Sequence, residues 1–275
     1  MRAGTARKTV LAAIDGGLAA RPVLAAARAL ATVLGADVVA LHVEVSGLGT
    51  PRTLALRAGV PLRILRGDVP SRLIQAGSAA DVVALVIGAR GIAVGPRPLG
   101  ATALAVATTL AKPVVVVPPD AEPRPAFKRV LVPLEGSEST SLAPRSLIEL
   151  APDQGLDVVA LHILGPETIP PFVDQAQHEQ TAWAREFLAR YCPWGIDVVD
   201  FETRVGRREE LIPEAAGECD CDLIALGWSQ AFADGHAHVV RATLERSRLP
   251  VVLIPVPTPL VSVDVDVARI PTAVA

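Results

Sequence analysis

The chain repeats itself, and that repeat limits its fold more than any other feature. DVVALHV at Asp37–Val43 returns as DVVALHI at Asp157–Ile163, and Ile14-Asp15-Gly16 returns at the same offset as Leu134-Glu135-Gly136. DVVALVIG, which ends at Gly88, returns as DLIALG, which ends at Gly227, and KPVVVVP from Lys112 returns as LPVVLIP from Leu249. Four matches in one order mark a duplicated unit, and a period this long makes a tandem pair rather than a solenoid. Between the copies, residues 119–126 read PDAEPRPA, a proline-rich linker that should be stiff and extended. The expected division is therefore 1–118, a linker at 119–126, 127–256, and a tail at 257–275. In the tail, Val261, Val263, Val265 and Val267 alternate with Ser262, Asp264 and Asp266. That period of two predicts a half-buried strand, paired with a sheet edge or with another chain, with a disordered tail as the alternative.

Within a copy, short Val- and Leu-rich runs alternate with helical patterns. The runs at Lys8–Ile14, Asp37–Val43, Asp81–Gly88 and Pro113–Pro118 are too short for helices and lack alternation, so they read as parallel strands buried on both faces. A third strand is expected at Val60–Arg66. Helices are expected after Pro22, at Pro70–Ala79 and after Gly100, with only a weak helical pattern near Arg52–Ala58. The result is an α/β fold: two five-stranded parallel sheets with helices on both faces. In the second copy, Pro171–Cys192 predicts a longer amphipathic helix, its stripe of Phe172, Ala176, Trp183, Phe187 and Tyr191 packing on its own sheet.

The stretch with the most chemistry is the loop after the fourth strand. It carries Gly88, Gly91, Gly95 and Gly100 between a strand end and a helix start. There, free backbone N–H groups and the helix dipole favour an anion, and glycine lets the backbone approach a phosphate closely. Ligands of such sheets lie beyond the carboxyl ends of the strands, where strand order reverses. In the first copy this brings together Asp15, Val43 and the loop from Gly88 to Thr102.

Charge points to the same copy. Up to Asp120 there are 13 Lys and Arg against 6 Asp and Glu, while the rest holds 13 against 23, within an overall net charge of −3. The first copy is the better host for a polyanion. All nine Phe, Trp and Tyr lie at or after Phe127, so a base bound in the first copy would rest on aliphatic side chains and backbone hydrogen bonds. The three cysteines, Cys192, Cys219 and Cys221, do not form the pattern of a disulfide framework or a zinc site. They suit a reducing cytoplasm. No apolar run approaches the length of a membrane span, and MRAGTARKTV has no apolar core of a secretory signal.

The residues VLAAIDG, DVVALHV and IGARG…LGAT…AKPVVVVP carry a resemblance: the chain resembles a tandem pair of universal stress protein domains, over roughly residues 7–118 and 127–256. The resemblance implies two Rossmann-like domains of the adenine nucleotide α-hydrolase type. It further implies sheets ordered 3-2-1-4-5 and, often, dimers paired along the last strand. It also implies ATP, alone or with Mg²⁺. Asp15 would hold the adenosine part with Ala13 and Ile14 beside it, and Val43 would meet the base through its backbone. Gly88, Arg90 and Gly91 would approach the ribose and phosphates, while Gly100, Ala101 and Thr102 would present N–H groups to the phosphates. Two features depart from the ATP-binding pattern of G-x2-G-x9-G followed by Ser or Thr. The second spacer is eight residues long, and Ala101 stands where a hydroxyl is expected, with Thr102 next to it. A missing hydroxyl hydrogen bond costs about 1 kcal/mol, less than tenfold in affinity.

In the second copy Gln230 replaces the second glycine, where a side chain would crowd the phosphates. Glu135 replaces Asp15, and Asp234 puts a negative charge in the loop. No ATP is expected there. Trp228 and His236-x-His238 read as loop residues rather than a second ligand site. His42 and His162, at matching strand ends without a nucleophile motif beside them, read as structural. No nucleophile elbow, H-E-x-x-H or P-loop is present, and nothing suggests nucleic acid. The expected function is that of a cytoplasmic, stress-related nucleotide sensor, not a dedicated enzyme, with at most slow ATP hydrolysis. Its two domains would pack as an intramolecular pseudo-dimer, with a homodimer of chains as a further option. One alternative is a duplicated scaffold that binds no nucleotide and acts through protein contacts. Another is an enzyme of the α-hydrolase-like class.

Overall fold

The computed structural model describes residues 7–17, 19–44, 49–90, 99–136, 141–165, 177–197, 199–231 and 237–256. The expected tail strand, Phe172, Ala176, Gly91, Gly95, Asp234 and His236 lie outside these residues.

The first half runs β1 (Thr9–Ala13), α1 (Ala20–Leu34), β2 (Asp37–Glu44), α2 (Gly49–Ala58), β3 (Leu62–Arg66), α3 (Val69–Gly77), β4 (Val82–Gly88), α4 (Ala101–Thr109) and β5 (Val114–Val117). The second half runs β6 (Arg129–Pro133), α5 (Arg145–Leu150), a 3-10 turn (Pro152–Gln154), β7 (Asp157–Leu164) and α6 (Gln177–Tyr191), then β8 (Val199–Val205), α7 (Arg208–Glu218), β9 (Leu223–Trp228), α8 (His238–Arg246) and β10 (Val251–Pro255). Local chemistry explains the boundaries. Helix α1 stops at Gly35, whose left-handed φ of 58° ends the helix and returns its N–H to Ala31 and Thr32. Asp68 caps α3 by accepting from the Ser71 N–H at 3.1 Å. The counterpart of α1 in the second half is cut short, because Pro144 precedes α5 and Pro152 follows it.

The ten strands form one sheet in the order β3-β2-β1-β4-β5-β10-β9-β6-β7-β8. Each half contributes the parallel order 3-2-1-4-5, and the halves meet where β5 and β10 pair antiparallel, Val115 facing Val252. Lys112-Pro113 and Leu249-Pro250 align the two copies, so Val115 and Val252 occupy the same position in each. A local two-fold axis therefore passes between them. Four consecutive valines in β5 are all buried, as a strand covered on both faces requires. Two apolar layers cover the two faces of the sheet: α1 packs in one, while α3 and α4 pack in the other.

Helix α6 packs on its own sheet, as its stripe predicts. Phe187 lies 5.4 Å from Phe201 of β8 and 4.3 Å from His162 of β7, ring centre to ring centre. The weak pattern near Arg52 is a helix, α2, extending three residues further toward the N-terminus than the sequence pattern indicates. No helix among the described residues is long and apolar enough to cross a membrane.

Candidate functional site

A cleft of about 320 Å³ opens beyond the carboxyl ends of β1, β2 and β4. Chain reversal after β1 builds its first wall. The Ile14 N–H donates to Leu41 at 2.9 Å, extending the β1–β2 pairing by one residue. Asp15 then turns the chain: its Oδ1 accepts from the Gly17 N–H at 2.8 Å. Gly16 has φ of +90°, and a Cβ there would lie 3.1 Å from Pro51, so glycine is required on both counts. Asp15 is exposed and lines the cleft.

The second wall is the loop between β4 and α4. Its ends are tied together: Ala89 N–H donates to Val117 and Gly100 N–H donates to Ala89, both at 2.8 Å. A Cβ on Gly100 would lie 3.2 Å from the Ala89 carbonyl oxygen, and one on Gly88 would lie 3.3 Å from the Arg90 carbonyl oxygen. Gly100 caps α4 with extended backbone and no side-chain hydrogen bond, so no side chain of the cap occupies the first-turn N–H groups. Those groups, with the helix dipole, favour an anion at this edge.

Seven of the ten residues expected from the sequence line this one cleft: Ala13, Ile14, Asp15, Val43, Gly88, Arg90 and Thr102. Gly100 and Ala101 immediately precede Thr102, and Gly91 lies outside the described residues. The structure adds apolar walls that the motifs do not indicate: Ala19 just before α1, Ala20 and Val23 from α1, and Val69 and Leu73 from α3. Their signal in the sequence is helix periodicity alone, which does not say which turn meets the strand ends.

His42 also lines the cleft, and its role is structural. Its Nδ1–H donates to the Ile14 carbonyl at 2.8 Å, and His162 repeats that bond to Leu134 at 2.7 Å. Both rings are buried. In the second half, Trp183 and Phe187 pack on the His162 ring, and burial lowers its pKa.

The matching positions of the second half are committed elsewhere. Glu135 lies 3.8 Å from the Arg208 guanidinium. Trp228, the counterpart of Ala89, is buried. His238, the counterpart of Ala101, sits 3.5 Å from a Glu209 carboxylate oxygen. Gln230, the counterpart of Gly91, adopts φ of 60°, the left-handed conformation that glycine tolerates best. Its side chain does not point at a phosphate site. It crosses to the first half and donates to the carbonyls of Ala107 and Leu110 at the end of α4.

The cysteine thiols are not poised for chemistry. Burial pushes Cys192 up to about 11 and Cys221 up to about 12, far above the range of a reactive thiol. No group of three His, Cys, Asp or Glu side chains among the described residues could hold a metal ion.

Comparison with solved structures finds the same architecture in distant sequences. A universal stress protein from Archaeoglobus fulgidus matches with a TM-score of 0.65 at 16% identity, covering 90% of this chain and 98% of that one. A putative universal stress protein from Pseudomonas aeruginosa UCBPP-PA14 matches with a TM-score of 0.62 at 14% identity, covering 91% and 94%. A functionally unknown protein from Pseudomonas aeruginosa PAO1 matches with a TM-score of 0.64 at 12% identity, covering 91% and 93%. Identities this low speak for the fold alone. No curated protein matches the chain. The model of the universal stress protein family matches residues 126–255. Over those residues, which make up most of its second half, the chain is similar to the universal stress protein family.

Proposed function

We propose that the first half binds an adenine nucleotide, ATP in the first instance, and that the chain acts as a stress-related sensor or regulator. The observation that carries this reading is the convergence of Asp15, Val43, Gly88, Arg90 and Thr102 on one cleft at the strand ends. Its volume is at the lower end of the range of ligand pockets, roughly 300 to 1,000 Å³. Apolar side chains such as Val43, Leu73 and Ile87 suit a base, Asp15 suits ribose hydroxyls, and the uncapped start of α4 suits phosphates. The second half binds no nucleotide, because Glu135, Trp228 and Gln230 fill or spend the matching positions. Hydrolysis, where it occurs, is slow, since the described residues of the cleft include no carboxylate–histidine pair to activate a water.

Isothermal titration calorimetry of the full chain with ATP and Mg²⁺ tests the reading. The control is Thr102→Glu, which places a carboxylate in the first turn of α4 while keeping a residue well suited to a helix start. Heat from the wild type and its loss in the variant is the expected result. No heat from the wild type, or equal heat from both, removes the proposal.

Ala101 favours a second reading, in which the duplicated fold is a scaffold that binds partners without nucleotide. Mass spectrometry of small molecules released from freshly purified, denatured protein separates the two. A stoichiometric adenine nucleotide rules out the scaffold reading.

A further inference from the structure

The opposite flank of α1 forms a second recess, of about 510 Å³, between α1, α2 and the linker. Four arginines line it: Arg21 and Arg28 from α1, Arg57 from α2 and Arg124 from the linker. Arg21 and Arg28 are two helical turns apart and so share a face. None of the described residues lining the recess is acidic. Arg28 donates to the Ala58 carbonyl at 2.8 Å, which ties α1 to the end of α2 and leaves its charge unneutralised. Arg124 is balanced by Asp222 at 2.8 Å and lies 3.8 Å from Glu122. Arg21 and Arg57 have no ion pair among the described residues.

We propose that this recess binds a small, free phosphate compound carrying several negative charges. Guanidinium groups present planar forks of donors that match the oxygens of a phosphate or a carboxylate. Here two have no such partner and a third spends one hydrogen bond on a neutral carbonyl. The uncompensated positive charges repel one another, and an anion between them removes that repulsion. Leu24 and Leu54 give the recess apolar sides, and the proline-flanked linker closes it from a third direction. A compact anion fits such a hollow better than a flat anionic membrane surface. A peptide strand would want a free sheet edge, and the walls here are two helices and a linker. The site is separate from the nucleotide cleft and does not depend on it: Ala20 and Val23 of α1 line the cleft, while Arg21, Leu24 and Arg28 line the recess.

The test is calorimetry with tripolyphosphate on the full chain carrying Thr102→Glu, so that binding in the cleft does not contribute. Heat that weakens as salt is raised is expected, because the contacts are charge pairs at a surface. Adding Arg21→Ala and Arg57→Ala should weaken the affinity about tenfold, a loss of about 1.4 kcal/mol. Arg21→Lys with Arg57→Lys should restore most of it. Both arginines are exposed, and an unchanged melting temperature verifies that the variants fold. No heat in the Thr102→Glu background overturns the proposal, as does heat that the double alanine variant leaves unchanged. Pelleting with phosphatidylglycerol vesicles in the absence of tripolyphosphate heat also overturns it and assigns the arginines to a lipid surface.

Discussion

The side-chain amide of Gln230 donates to the carbonyl oxygen of Leu110 at 2.8 Å, from the second half of the chain to the first. A second hydrogen bond, to Ala107 at 3.2 Å, makes the amide a cap for the carboxyl end of α4. Helix ends leave carbonyls without partners, and a cap drawn from the other copy joins the halves at a point that backbone pairing does not reach. The opposite end of α4 is the edge of the candidate nucleotide cleft. One helix thus links the loop of the second half to the cleft of the first.

Gln230→Ala should destabilise the chain by about 1–2 kcal/mol, from the lost hydrogen bonds with the left-handed backbone unchanged. Gln230→Gly should cost less, since glycine adopts φ of 60° without a Cβ penalty and offsets about 1 kcal/mol of the loss. Urea denaturation midpoints check the order, and a glycine variant less stable than the alanine variant would contradict it.

At the centre of the sheet β5 is buried along its whole length. Val115 and Val252 face each other there, at 0% and 4% exposure. Val252→Asp should cost several kcal/mol, because a carboxylate between two apolar layers has no partner. The chain should then lose folding as a whole rather than separate into two folded halves, visible as one lowered transition in calorimetry. Two well-separated transitions, one at the wild-type temperature, would show that the halves are independently stable.

Asp222 secures the start of β6. It is 4% exposed, accepts from the backbone N–H groups of Lys128 at 2.7 Å and Arg129 at 3.1 Å, and pairs with Arg124 at 2.8 Å. Asp222→Ala leaves two part-buried backbone donors and a guanidinium without their acceptor, and should cost roughly 3 kcal/mol. Asp222→Asn keeps one acceptor oxygen and should cost about half as much. Equal midpoints for the two variants in urea would show that the hydrogen bonds contribute little.

The strands, the helices and the loop at the cleft were legible in the repeat because they depend on local pattern, whereas the strand order came from the family resemblance. Val runs bounded by Gly88 and Gly100 announce strand, loop and helix, and the duplication announces that whatever the first copy builds, the second builds too. Gln230 was legible only as a missing glycine. Its reach to Leu110 depends on β5 meeting β10, a pairing between residues far apart in the chain that no local pattern encodes. The same holds for the arginine recess. Arg21, Arg57 and Arg124 look like scattered surface charge until α1, α2 and the linker are set side by side. The apolar wall of Val23 and Leu73 stayed hidden for a related reason, since helix periodicity shows a buried face but not what that face meets.

His162 makes stability depend on pH. Burial against Trp183 and Phe187 disfavours its charged form, so its folded pKa lies below the ordinary value of 6.5, while the bond to the Leu134 carbonyl opposes that shift only in part. The unfolded chain therefore takes up a proton on this ring before the folded chain does. The stabilising contribution is complete above about pH 6.5 and is lost as pH falls toward the folded value. His162→Phe keeps an aromatic ring among Trp183 and Phe187 and removes the titration. It should lower stability at pH 8, where the bond to Leu134 is lost, and flatten the fall between pH 7 and pH 5, windows set by the ordinary histidine pKa of about 6.5. Denaturation midpoints measured across that range check it, and an undiminished slope in the variant would assign the pH dependence to other groups.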